Sequence, residues 1–167
     1  GTIAAACGGT TSIVDHIGQG PRGTTLHDPI NHYHKLADGK AVIDYGFHGV
    51  IPYEVDDDRL KEMDQLLEDG IESFKIYMTY GQMVHDEDSI KVLKKAKEKG
   101  GIIAVHPENN DTVNYLKKYY SENGMTAPIY HAKSRPEECE GEAITRILNI
   151  AHLVGDAPLY IVHLSAK

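Results

Sequence analysis

At 167 residues the chain is long enough for one domain with a substantial core. Its balance of 41% hydrophobic and 25% charged residues is that of an ordinary globular protein, and no apolar run has the length of a bilayer span or the pattern of a secretory signal. The net charge of −8 argues against nucleic acid as a partner, because a phosphate backbone attracts a basic face. The only cysteines, Cys7 and Cys139, form no CxxC pair and no disulfide framework, so a reducing, cytoplasmic setting is expected.

Thr2 to Cys7 reads as the closing turns of a helix that Gly8 and Gly9 stop. Thr10 to Asp15 is rich in β-branched residues and reads as a strand. A helix is expected over Leu26 to Ala37, then a strand over Ala41 to Ile51. Asp56 to Asp58 cap a helix that runs to Glu68 and stops at Gly70. Glu72 to Met78 is a short strand. Asp86 to Asp88 open a helix running to Lys99, with Lys94, Lys95, Lys97 and Lys99 as a solvated face. Ile102 to His106 is a strand, Asp111 to Ser121 a helix, Pro128 to Pro136 a loop, and Glu137 to Leu153 a longer helix. Pro158 introduces a last strand, Leu159 to Leu164. Both ends look cut from something longer.

Strands alternating with helices imply parallel βαβ units with right-handed crossovers. No Gly-rich dinucleotide fingerprint follows the first strand, which weakens an open doubly wound sheet. The alternative is an α/β fold of the partial TIM (β/α)8 barrel type, with about five parallel strands and flanking helices; a complete barrel needs about 250 residues. Residues 1–167 are then the central portion of one barrel domain, without the first and last strands and with no second domain.

Three polar residues stand near the ends of apolar strands: Lys75, His106 and His163. Alternation puts Phe74, Ile76 and Met78 on one face, with Ser73, Lys75 and Tyr77 on the other. The same reasoning sets Ile103 and Val105 opposite His106, and Tyr160 and Val162 opposite His163. Helices covering one face would leave the amine and both imidazoles pointing inward, at the strand ends where α/β barrels keep their chemistry. Two such imidazoles can share a metal ion. A buried Lys75 ammonium is costly, so the amine is neutral, ion-paired or chemically changed: a Schiff-base nucleophile, or a carbamate able to bridge two metals.

Six stretches resemble the hydantoinases and dihydropyrimidinases, a family of cyclic amidohydrolases: Ala5 to Asp15, Ala37 to His48, Gly70 to Tyr80, Val105 to Asn109, Pro128 to Ala143 and Leu159 to Ser165. They occur in the right order over nearly the whole chain. The resemblance implies two divalent metal ions, with zinc expected, bridged by a carboxylated Lys75, and His106 and His163 completing the coordination of one of them. It implies that Tyr80 hydrogen-bonds the substrate carbonyl, making Lys75 and Tyr80 the catalytic pair. It also implies a small cyclic amide as substrate, a homotetramer, and ring opening by a bridging hydroxide. The family's HxH ligand pair and final Asp lie outside this chain. Its own ligands therefore suffice for one ion at best, and no ring opening is expected of this piece alone.

The string His32-Tyr33-His34 is a decoy, since positions i and i+2 of a helix diverge by about 200°. His16 and His48 are expected to be structural or to support the ligands. Asp15 and Asp44 are expected to be buried with hydrogen-bond partners. Taken singly, His106, His163 and Lys75 would be core or surface residues; together, at strand ends, they point to a metal site. Three other functions compete: a non-catalytic dihydropyrimidinase-related scaffold, an allantoinase or dihydroorotase, and a Schiff-base aldolase.

Overall fold

The computed structural model describes residues 1–18, 20–21 and 23–167. Strands and helices alternate. They are α1 (Thr2–Cys7), β1 (Ser12–His16), α2 (His27–Ala37), β2 (Asp44–Val50), α3 (Asp57–Glu68), β3 (Ser73–Tyr77), α4 (Asp86–Lys99), β4 (Ile102–His106), α5 (Asn110–Glu122), α6 (Ile129–Lys133), α7 (Glu137–Leu153) and β5 (Leu159–Ile161). The five strands form one sheet in the order β1-β2-β3-β4-β5, and every neighbouring pair is parallel. This is the arrangement of successive β/α units in a barrel segment, as the alternation of elements implies.

Local chemistry accounts for the helix boundaries. Asp56 caps α3 by accepting the Arg59 backbone N–H at 2.8 Å, and Asn109 caps α5 by accepting that of Thr112 at 3.0 Å. Helix α4 begins with Asp86, Glu87 and Asp88, and ends at Gly100 in the left-handed conformation, φ 81°. On α7, Cys139, Ala143, Ile147, Ile150 and Ala151 form the buried stripe of an amphipathic helix.

The core lies between the sheet and its helices. Phe74 and Ile76 of β3 and Ile103 and Val105 of β4 are fully buried there, in one cluster with Met63, Leu66, Val92, Leu93 and Ile147. Side chains alternate, so Ser73, Lys75 and Tyr77 occupy the opposite face of β3. Lys75 pairs with Ala104 and Tyr77 with His106, which brings His106 onto that same face.

Several boundaries differ from the expected ones. Strand β1 starts two residues later than Thr10, and β2 starts at Asp44 rather than Ala41. A short helix, α6, occupies the segment expected to be a loop. Asp15 and Asp44 are exposed, not buried, because β1 is an edge strand and Asp44 begins β2. The lysine face of α4 is not simply solvated. Lys95 pairs with Asp64 of α3 at 2.7 Å, and Lys97 donates to the Val154 carbonyl at 3.3 Å, closing the end of α7. Strand β5 ends at Ile161, three residues short of Leu164. Among the described residues no helix is long and apolar enough to cross a membrane.

Two glycines of β2 meet different surroundings. A Cβ at Gly49 would lie 2.8 Å from the Phe74 ring, whereas one at Gly46 would meet only Val14 at 3.9 Å. Gly49→Ala is expected to cost about 1–3 kcal/mol by overpacking. Gly46→Ala should stay within about 0.5 kcal/mol of the parent. Denaturant midpoints of the two variants check the contrast.

Candidate active site

The helix-free face of the sheet carries the polar groups. Lys75 is central, only 3% exposed, with its Nζ 4.8 Å from the Tyr77 ring centroid. Burial pushes its ammonium down to about 8, and no carboxylate offsets that shift. On one side of Lys75, His16 and His48 stack with ring centroids 4.5 Å apart. Burial lowers the pKa of both, and the charge of Lys75 lowers it further. His48 is tied to Ser73 Oγ through Nδ1 at 2.6 Å, a structural bond of the kind expected for it.

On the other side stand His106 and His163. His106 Nδ1 lies 2.8 Å from His163 Nε2, and His106 Nε2 lies 2.9 Å from Glu108 Oε2. A carboxylate only accepts, so His106 Nε2 carries the hydrogen and donates it to Glu108. In the neutral ring Nδ1 is then an acceptor, and His163 Nε2–H donates to it. Burial pushes the His106 imidazole below its usual range, against the raising pull of Glu108.

His163 reaches this position by a route that strand alternation did not foresee. Tyr160 pairs with Ala104, on the same face as Lys75, so an extended His163 would point toward the helices. The strand ends first. His163 has a left-handed backbone, φ 39°, and this turn swings its ring back to His106. The turn is held from outside: Glu140 of α7 accepts the Ser165 backbone N–H at 3.1 Å and also that of Ala166. The Ser165 hydroxyl donates to the His163 carbonyl at 2.8 Å.

Tyr80 follows β3 in a second turn with a positive φ, 69°. Its ring centroid is 5.1 Å from that of His106, and its hydroxyl is 3.5 Å from Glu108 Oε2. Glu108 Oε1 lies 3.4 Å from Arg135 Nε, and the Arg135 guanidinium sits 6.0 Å from the Tyr80 ring centroid. Three non-glycine residues have positive φ among the described ones, and two of them are Tyr80 and His163; such strain concentrates at functional sites.

The four residues expected from the sequence, Lys75, Tyr80, His106 and His163, therefore gather at one end of β3–β5. Glu108, Arg135 and Glu140 join them unforeseen. The quoted stretches contain all three, but only contacts across the fold give them a part. His32 and His34 lie on α2, where His34 bonds the Tyr45 hydroxyl at 3.2 Å, away from this cluster. His106, Glu108, Arg135, Pro136, Glu140 and His163 line a cleft of about 300 Å³. A larger groove, about 930 Å³, runs along α7 on the helix layer and contains no histidine. Among the described residues, no three His, Cys, Asp or Glu side chains form a group able to hold a metal.

The chain is 48% identical over 165 residues to a D-phenylhydantoinase of Escherichia coli O1:K1, a match covering 99% of the chain and 36% of that relative. A dihydropyrimidinase from Brevibacillus agri superposes with a TM-score of 0.92 at 46% identity, over 98% of the chain and 36% of its own. A D-hydantoinase from a Bacillus species superposes with a TM-score of 0.93 at 46% identity, with the same coverage. The chain thus spans about a third of the length of these proteins. No protein-family model matches it.

Glu140→Ala leaves the Ser165 and Ala166 amides without their acceptor. Hydrogen bonds to charged groups contribute about 1.5–3 kcal/mol, so exchange at these amides should quicken about tenfold or more. Amide exchange read by mass spectrometry or NMR checks this.

Proposed function

Because the chain belongs with the hydantoinases and dihydropyrimidinases over the third of their length that it spans, we propose that the complete protein is a metal-dependent hydrolase that opens cyclic amide rings such as hydantoin or dihydropyrimidine. The observation that carries this reading is a buried amine, Lys75, flanked by the His106–His163 pair at the C-terminal edge of adjacent parallel strands.

The side chains suit a metal in their chemistry. His106 Nδ1 and His163 Nε2 face each other at 2.8 Å, so the two imidazoles would hold one ion between them. The two facing atoms, His106 Nδ1 and His163 Nε2, would be the ligating ones. Lys75 would bridge two ions as a carbamate. Its buried amine, with an ammonium pKa near 8, is neutral often enough at physiological pH to add to carbon dioxide and lose a proton. The second ion needs ligands beyond those of this chain. When bound, the divalent ions, with zinc as the expected metal, supply an acidified water and polarise the ring carbonyl.

The remaining work falls to the protein's own groups. The Tyr80 hydroxyl, 3.5 Å from Glu108 Oε2, would donate to the carbonyl oxygen as negative charge develops there. Water adds across the ring C–N bond: oxygen goes to the carbonyl carbon, and a proton goes to the departing nitrogen. Self-association, cytoplasmic residence and a single barrel domain belong to the same proposal; the first is implied by the resemblance, the second by the lack of a disulfide framework, and the third by the alternation of strands and helices.

The complete protein should open hydantoin or dihydrouracil and carry zinc. Lys75→Ala should lower turnover by about 10³-fold or more and strip the metal, since the ions supply several kcal/mol of charge stabilisation. Full metal content with full turnover in that variant overturns the reading; a metal-free, inert parent favours the scaffold alternative. Tyr80→Phe should keep its metal while kcat falls by about 10²-fold. Metal analysis and steady-state kinetics read both.

A further inference from the structure

We infer that Glu108 is a positioning residue, holding His106 in the one tautomer and orientation that frees Nδ1 toward His163, and that Arg135 in turn holds Glu108. This rests on the proposed metal-dependent reading of the site and adds to it a support that acts through neither the substrate nor the metal directly.

Three contacts meet on one carboxylate. Oε2 accepts the His106 Nε2–H at 2.9 Å and lies 3.5 Å from the Tyr80 hydroxyl; Oε1 lies 3.4 Å from Arg135 Nε. The group is largely sequestered, with side-chain exposures of 12% for Glu108, 13% for His106 and 15% for Arg135. Arg135 Nε faces Oε1, and Oε2 faces His106 Nε2 as a carboxylate acceptor. His106 must therefore place its hydrogen on Nε2, and its lone pair faces the cleft. With no acceptor at Nε2, the ring could carry its hydrogen on Nδ1, where it would block ligation, or turn about χ2. Outer carboxylates of this kind fix ring orientation and raise ligand basicity, and their loss typically costs 10–100-fold in metal affinity.

The backbone makes this geometry local and rigid. Pro107, between the two residues, is buried, and Asn109 immediately after Glu108 caps α5. The Asn109 N–H donates to the Cys139 carbonyl at 3.0 Å, fastening the segment to α7. Glu108 is thus presented from a pinned main chain and does not search for its partner.

The test compares wild type, Glu108→Ala and Glu108→Gln in the complete protein. Zinc affinity is measured by chelator competition, and the imidazole N–H by proton NMR of the cobalt-substituted protein. Glu108→Ala should weaken the more labile ion 10–100-fold and lose the slowly exchanging N–H signal of one ligand imidazole. Glu108→Gln keeps an acceptor oxygen, so it should retain that signal and recover most of the affinity. Unchanged affinity and an unchanged signal in a folded Glu108→Ala protein overturn the inference alone. If Glu108→Ala does not fold, Glu108→Gln decides, and loss of the signal in that variant overturns the inference. A wild-type protein that binds no metal overturns the underlying reading and this inference with it.

Discussion

The in-step parallel pairing of β3 with β4 is the constraint on which the site depends. Lys75 opposite Ala104 and Tyr77 opposite His106 put an amine, a phenol and an imidazole on one face, while Phe74, Ile76, Ile103 and Val105 are buried on the other. A slip of one residue would turn the whole apolar set out of the core and the polar set into it. The hydrophobic packing against α3, α4 and α7 therefore fixes the register, and the register fixes the chemistry. Ala104 matters in the same way, since a small residue beside Lys75 leaves room for its long side chain.

The polar face is held together by compensated costs. A buried ammonium lacking a carboxylate is unfavourable, and at Lys75 the response is a pKa pushed down to about 8. Tyr80 and His163 hold positive φ values that ordinary residues avoid, each at a cost of about 1–3 kcal/mol. Glu140 secures the second of these turns through backbone hydrogen bonds. Strain, desolvation and external fastening coincide at the C-terminal ends of β3 and β5.

Much of this was legible in the sequence, for identifiable reasons. The order of elements follows from apolar runs and capping residues such as Asp56, which act over a few residues. The faces of β3 and β4 follow from alternation, which holds as long as a strand stays extended. The alternation argument fails for His163 because β5 is only three residues long, and the ring owes its position to a turn. Helix α6 was missed because prolines at 128 and 136 bracket it like a loop. The exposure of Asp15 depends on β1 lying at a sheet edge, a property of the assembled sheet. Glu108 and Arg135 are 27 positions apart, with two helices, α5 and α6, between them, so no local pattern links them. The resemblance singled out the four clustered residues more sharply than any spacing could.

The strand order has a further meaning for how the chain acquires its shape. Each strand adds beside the one made just before it, so the sheet can grow in the direction of synthesis without waiting for a distant segment. Lys75 and His106 can be brought together early. His163 follows α7 and β5 in the chain and is therefore synthesised after both. The imidazole pair is therefore completed only by the last few residues of this segment, and a shorter stretch carries the amine and His106 without their partner.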